Sequence, residues 1–257
     1  MAWIVINVIT KEIDVSDISV VNNVILLKVG DEIVVKATGY DRKNKLNLSR
    51  KEALNPVKED KKERIYHKFI DVEEDENGTP TSIKFKNTEN FNFAFDLIDA
   101  LADKEPDKLA MLHISRDKTE RRFTFKDMKR ASNQAANYFK SLGIKKGDRV
   151  MLILKRHYQY WFAMLGLNKL GAIGIPAPNQ LLEHDLEYRF NAAGVKAILC
   201  TTDGDVANQV DMAAKNCPEL KHKMIVNGIK DGWRNFDEEY PLYSTHFDRT
   251  EDSPCGE

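Results

Sequence analysis

From Arg149 onward the chain repeats one alternation: a short apolar run, then an amphipathic stretch that closes on glycine or asparagine. The runs are RVMLIL, AIGIP, KAILC and KMIV, and between them lie YQYWFAMLGLNKLG, EHDLEYRFNAAG and DVANQVDMAAKN. A strand that is apolar throughout is buried on both faces and needs a covering layer on each side. Strands alternating with helices join in parallel through right-handed crossovers. The expected class is therefore α/β, an incomplete, mostly parallel sheet with helices on both faces.

The sequence before this core divides in three. Residues 1–57 hold short β-rich segments, of which EIVVKATGYD and KLNLS, joined at the charged DRKNK, read as a hairpin. SRKEAL then starts a short helix that Asn55-Pro56 stops. Residues 58–89 carry charge runs of both signs, with Gly78 and Pro80 in a turn, and read as a solvated, mobile connector. From residue 90 to 257 the helical signals are stronger. FAFDLIDALADKEP has helical spacing and stops before Pro106, and LAMLHIS and RRFTF pair around RDKTE. In TFKDMKRASNQAANYFKSLG, Thr124 caps the helix, Asp127 stands in capping-box register and Gly143 ends it.

Charge excludes rather than selects. A formal net charge of −1 gives no general attraction to nucleic acid or an anionic membrane. No apolar run reaches the roughly 20 residues of a membrane span. MAWIVINVIT lacks the basic start and cleavage site of a signal peptide, so the chain is expected in the cytoplasm. Asn47 and Asn77 open glycosylation triplets that mean little there. Cys200, Cys217 and Cys255 match neither a metal knuckle nor a redox pair and read as reduced, structural thiols.

Open α/β sheets bind ligands at the carboxyl ends of their strands. After RVMLIL, the stretch KRHYQY offers Lys155, Arg156, His157 and two phenols, a lining for an anionic or acyl substrate with His157 as candidate base. The preferred reading leaves Lys155 and Arg156 in solvent and packs Tyr160, Trp161 and Phe162 onto the sheet. Glu183, His184 and Asp185 are adjacent and diverge on a helix, so helix-capping carboxylates are the expected role. Thr201, Thr202 and Gly204 hint at a phosphate loop, but neither the dinucleotide glycine pattern nor the phosphate-loop lysine motif is present. A turn with an acidic N-cap explains TTDGDVANQ equally well. No residue is assigned a catalytic, cofactor-binding or metal-binding role.

The order of a helix ending SLGIKKGDRV, an apolar strand, an aromatic-led helix ending KLGAI and a proline-bearing strand resembles the start of the AMP-forming acyl-CoA synthetases. NCPELKHKMIV followed by DGWRNFDEEY is most similar to the medium-chain branch. The resemblance implies a ligase that joins a fatty acid to ATP as an acyl-adenylate and then transfers the acyl group to coenzyme A, with Mg²⁺. It also implies a Thr/Ser/Gly-rich phosphate loop ending in lysine, an adenine site, a ribose aspartate and a lysine on a mobile lid, none of which occurs in these residues. The chain alone is therefore expected to be inactive and to hold none of these cofactors tightly. FDRTEDSPCGE, with no apolar residue after Phe247, reads as a cut.

LKVGDEIVVKATGYDRKNKLNLSRKEAL resembles the close of the RNA-binding OB barrel of polynucleotide phosphorylase. That likeness implies a small partial β-barrel and RNA as an alternative partner, with Lys43, Lys45, Arg50 and Lys51 near phosphate. Two partial modules joined by a charged stretch read as an assembled or recombined reading frame.

Overall fold

The computed structural model describes residues 65–253 and, nearer the N-terminus, the strands β1 (Trp3–Asn7), β2 (Glu32–Tyr40) and β3 (Leu46–Ser49). The chain divides into two compact units, residues 1–64 and 65–257. In the first unit β2 lies between β1 and β3 and is antiparallel to both. Trp3 stands opposite Lys36, and Tyr40 opposite Leu46. The pairing of β2 with β3 is the hairpin expected from EIVVKATGYD and KLNLS. Its charged turn, the helix expected over SRKEAL, and Lys43, Lys45, Arg50 and Lys51 lie outside the described residues.

The second unit opens with a correction. Much of the stretch expected as a mobile connector is a hairpin, β4 (Ile70–Glu74) antiparallel to β5 (Pro80–Phe85). The charges that read as a solvated run face each other across its strands, with Lys84 3.1 Å from Glu73 and Lys86 2.6 Å from Asp71. Asp75 shapes the turn, its Oδ1 accepting from the N–H groups of Asn77 (2.8 Å) and Thr79 (2.9 Å). Gly78 adopts the left-handed φ of 80° that the turn requires.

Asn92 starts the next helix by accepting the N–H groups of Ala94 and Phe95 on its Oδ1. A π-helical turn, Ala94–Asp99, runs into α1 (Ala100–Lys104), and Pro106 follows. β6 (Leu109–Ile114) and β7 (Glu120–Thr124) form the expected hairpin. Helix α2 (Phe125–Ser141) begins with the capping box: Thr124 Oγ1 accepts from Asp127 N at 3.2 Å, and Asp127 Oδ2 accepts from Thr124 N at 2.9 Å.

The sheet comprises β8 (Arg149–Ile153), β9 (Ile173–Pro176), β10 (Val195–Thr201), β11 (His222–Val226) and β12 (Arg234–Asn235). Its spatial order is β12-β11-β10-β8-β9, and every pairing is parallel. The connections are α3 (Gln159–Leu170), α4 (Glu183–Ala193) and α5 (Val206–Ala213). A short α6 (Phe236–Glu239) follows β12, and neither of these two was read from DGWRNFDEEY.

Alternate residues of each strand feed two cores. Val150, Leu152, Ala197, Leu199 and Met224 pack under α2 and α3. Met151, Ile153, Ile198, Cys200 and Ile225 pack under α4 and α5. Helices thus cover both faces, as the apolar strands require. The α2–α3 crossing is close: a Cβ on Gly166 would stand 2.9 Å from Ala135 Cβ. Among the described residues β9 pairs only with β8, which accepts from Ile173 N at Asp148 O (2.8 Å) and from Ala177 N at Leu152 O (3.0 Å).

Candidate functional site at the carboxyl ends of the strands

The chain leaves β8 for α3 on one face of the sheet and leaves β10 for α5 on the other. β8 and β10 are neighbours, so their carboxyl ends form the switch point at which open α/β sheets bind ligands. The structure brings KRHYQY and TTDGDVANQ together here. His157 Nε2 lies 2.8 Å from Thr201 Oγ1 and 3.2 Å from Asp203 Oδ2. Lys155 Nζ stands 3.9 Å from the same carboxylate oxygen.

The bonding continues around the strand ends. Asn227, just past β11, donates from Nδ2 to Asp203 Oδ1 (3.1 Å) and from its backbone N–H to Asp237 Oδ2 (2.8 Å). Asp237 Oδ1 in turn accepts from Gln159 Nε2 at 2.7 Å. Thr202 Oγ1 donates to Asn227 O at 2.6 Å. Two side-chain-bearing residues here, Lys155 (φ 46°) and Asn227 (φ 60°), hold left-handed backbone.

This web decides what the crevice can do. A phosphate cradle needs main-chain N–H groups aimed at an anion. In this loop Thr202 N donates to Val226 O and Asp203 N to Thr201 Oγ1. The carboxylates of Asp203 and Asp205 would also repel a triphosphate. The segment holding Thr201, Thr202 and Gly204 thus spends the N–H groups of Thr202 and Asp203 within the protein, as a turn does. His157 faces Thr201 and Asp203, which ties the two loops together. Among the described residues no group of three or more His, Cys, Asp or Glu is placed to hold a metal ion.

The other sequence candidates fall into structural roles. Lys155 and Arg156 are exposed and Phe162 is buried, as preferred. Trp161 departs from that reading, with half its surface open. Asp185 accepts from Leu182 N at 3.3 Å and caps α4, whereas His184 is exposed. Asp205 stands at the N-cap of α5, but its carboxylate takes Asn208 Nδ2 and Gln209 Nε2, not a backbone N–H. Burial pushes the Cys200 thiol up to about 12, the state of an inert core residue. A groove of about 260 Å³ beside β9 is apolar apart from Tyr188 and Arg189.

Comparison with known proteins gives this scaffold a context. Residues 98–254 match the family described as AMP-binding enzyme. The rat acyl-coenzyme A synthetase ACSM5, mitochondrial by its name, is 35% identical over 157 residues, covering 58% of this chain and 27% of that protein. The human mitochondrial acyl-coenzyme A synthetase ACSM3 is 34% identical over 157 residues, covering 58% of this chain and 26% of that protein. The chain thus spans about 27% of the length of the curated relatives it matches. The anthranilate CoA ligase AuaEII, solved with anthranoyl-AMP, superposes with a TM-score of 0.54 at 21% identity, over 63% of this chain and 30% of that one. A Brucella canis acyl-CoA synthetase gives 0.54 at 22% identity, over 63% and 29%. At these identities the likeness to the two solved structures concerns the fold.

Proposed function

The chain belongs to the AMP-binding enzyme family, and from that premise we propose that it serves as the N-terminal scaffold of an AMP-forming acyl-CoA synthetase. In that reaction a carboxylate attacks the α-phosphate of ATP, releasing pyrophosphate, and the thiol of coenzyme A then displaces AMP from the acyl-adenylate. The substrate class is a fatty acid, of medium chain length on the likeness of NCPELKHKMIV and DGWRNFDEEY. The observation that carries the reading is the family match over residues 98–254, which spans α2 and the whole parallel sheet.

Such chemistry depends on donors preorganised around phosphorus, usually with a metal ion. No step is assigned to any described residue. ATP, Mg²⁺ and coenzyme A belong to the complete enzyme in this reading, and the chain is placed in the cytoplasm.

Grafting supplies the test. Residues 98–254 replace the matched segment of the rat synthetase, and acyl-CoA formation from a medium-chain acid is measured with ATP, Mg²⁺ and coenzyme A. The graft is expected to form thioester, and a folded graft that forms none sinks the proposal. The 257-residue chain by itself is expected to release no AMP.

The antiparallel pairing of β2 with β3 supports a second reading, in which residues 1–57 form an OB-like RNA-binding module and 90–257 a passenger. Salt-dependent binding to single-stranded RNA, lost on Arg50→Ala with Lys51→Ala, is then expected. Binding that ignores both changes excludes it.

A further inference from the structure

Past α6, from Tyr240 to Ser253, the chain forms one 3₁₀ turn and no strand, and it crosses the polar face of α2. Helical spacing puts Asn133, Gln134 and Asn137 on that face. All three amides donate to main-chain carbonyls of the crossing segment. Gln134 Nε2 reaches Pro241 O at 2.6 Å and Tyr243 O at 3.3 Å. Asn137 Nδ2 reaches Ser244 O at 2.9 Å and His246 O at 2.8 Å. Asn133 Nδ2 reaches Thr245 O at 2.8 Å. The far end is pinned separately: Arg249 Nη1 donates to Asp96 Oδ1 at 2.6 Å, and Asn92 Nδ2 donates to Ser253 O.

Asn133 has a second partner. Its Oδ1 accepts from Lys169 Nζ at 2.5 Å, and that ammonium, wholly buried, also donates to both oxygens of Asp99 at 2.9 Å. An ammonium has donors only. It therefore holds Asn133 with oxygen toward Lys169 and the NH₂ toward the segment. The flipped amide would set two donors against each other on one side and two acceptors on the other.

We infer that residues 240–253 form a strap that leaves α2 as a unit while the sheet stays folded, with Asn133, oriented by Lys169, as its latch. Side-chain bonds to carbonyls hold the strap together with the half-buried rings of Tyr240, Tyr243 and Phe247, and each bond adds modest net stability because water replaces it on opening. Segments so attached open at lower free energy than strands buried on both faces. Opening carries Tyr240, Tyr243 and Phe247 away from the core that includes Tyr138, Phe139 and Phe236, and uncovers its aromatic edge.

Hydrogen exchange of the full chain, read on peptides covering 240–253 and on peptides covering β8 and β10, tests this. Asn133→Leu keeps the Asp99–Lys169 pair but removes the latch, and strap exchange is expected to rise on the order of tenfold with β8 and β10 unchanged. Asn137→Ala, on the exposed side of the same ladder, should accelerate the same peptides. In the paired replacement of Asp99→Leu with Lys169→Met, Asn133 is intact but no longer oriented, and the strap should again open faster than the sheet. Strap exchange that stays unchanged in these variants, or acceleration matched in β8 and β10, overturns the inference.

Discussion

Lys169 and Asp99 meet in the interior, the ammonium wholly buried and the carboxylate nearly so. Burial pushes the Asp99 carboxyl up and the Lys169 ammonium down, in each case opposed by the attraction of the other. The bonds of the pair to each other and to Asn133 offset part of the cost of burying two charges. Removing one partner leaves an uncompensated buried charge, and Lys169→Met alone is expected to cost about 3–5 kcal/mol in urea unfolding. Adding Asp99→Leu should recover most of that loss, and a double variant as unstable as the single one contradicts the account. His222 supplies the pH dependence. Burial is the largest cause lowering its imidazole below 6.5, Arg234 adds to this, and a bond with the Leu142 backbone opposes it. A group lowered on folding stabilises the protein above its unfolded value and loses that contribution as pH falls through its folded value. The unfolding midpoint should therefore drop on acidification below pH 6.5, and drop less in His222→Gln.

At the scale of elements, α2 is bounded by local chemistry. Thr124→Ala removes the hydroxyl half of its capping box and is expected to cost about 1 kcal/mol in chemical denaturation. A value indistinguishable from zero would place the start of the helix under tertiary control. The same locality made α2 legible in the sequence, because Thr124, Asp127 and Gly143 signal both ends without reference to any other part of the chain. The four long strands were legible because an apolar run between polar breaks has few other uses. β4 and β5 were not, because Glu73 and Lys84, exposed in the fold as well, read as a charge run with no local sign of the strand pairing that brings them within 3.1 Å. The path of 240–253 left no periodic trace either, since its partners Asn133, Gln134 and Asn137 stand more than a hundred positions away. The meeting of His157 with Asp203 was equally hidden: each junction could be inspected alone, but the strand order that makes them neighbours appears only in the fold.

For the whole molecule, the five-stranded sheet has two rims, and the rim at β9 is the one with length enough to matter. The N–H groups of Ile173 and Ala177 turn inward to β8. Alternation along a strand turns the backbone nitrogens of Gly174 and Pro176 outward. Proline carries no proton there, so a strand approaching from outside would find a single donor, at Gly174. Self-association through strand addition is the hazard of an open rim, and one proline in an outward register removes half of the available donors. Pro176→Val restores the missing donor, and sedimentation at rising concentration should show more self-association than the parent chain shows under the same conditions. Colloidal behaviour at high concentration would then be governed by one ring nitrogen at the margin of the sheet.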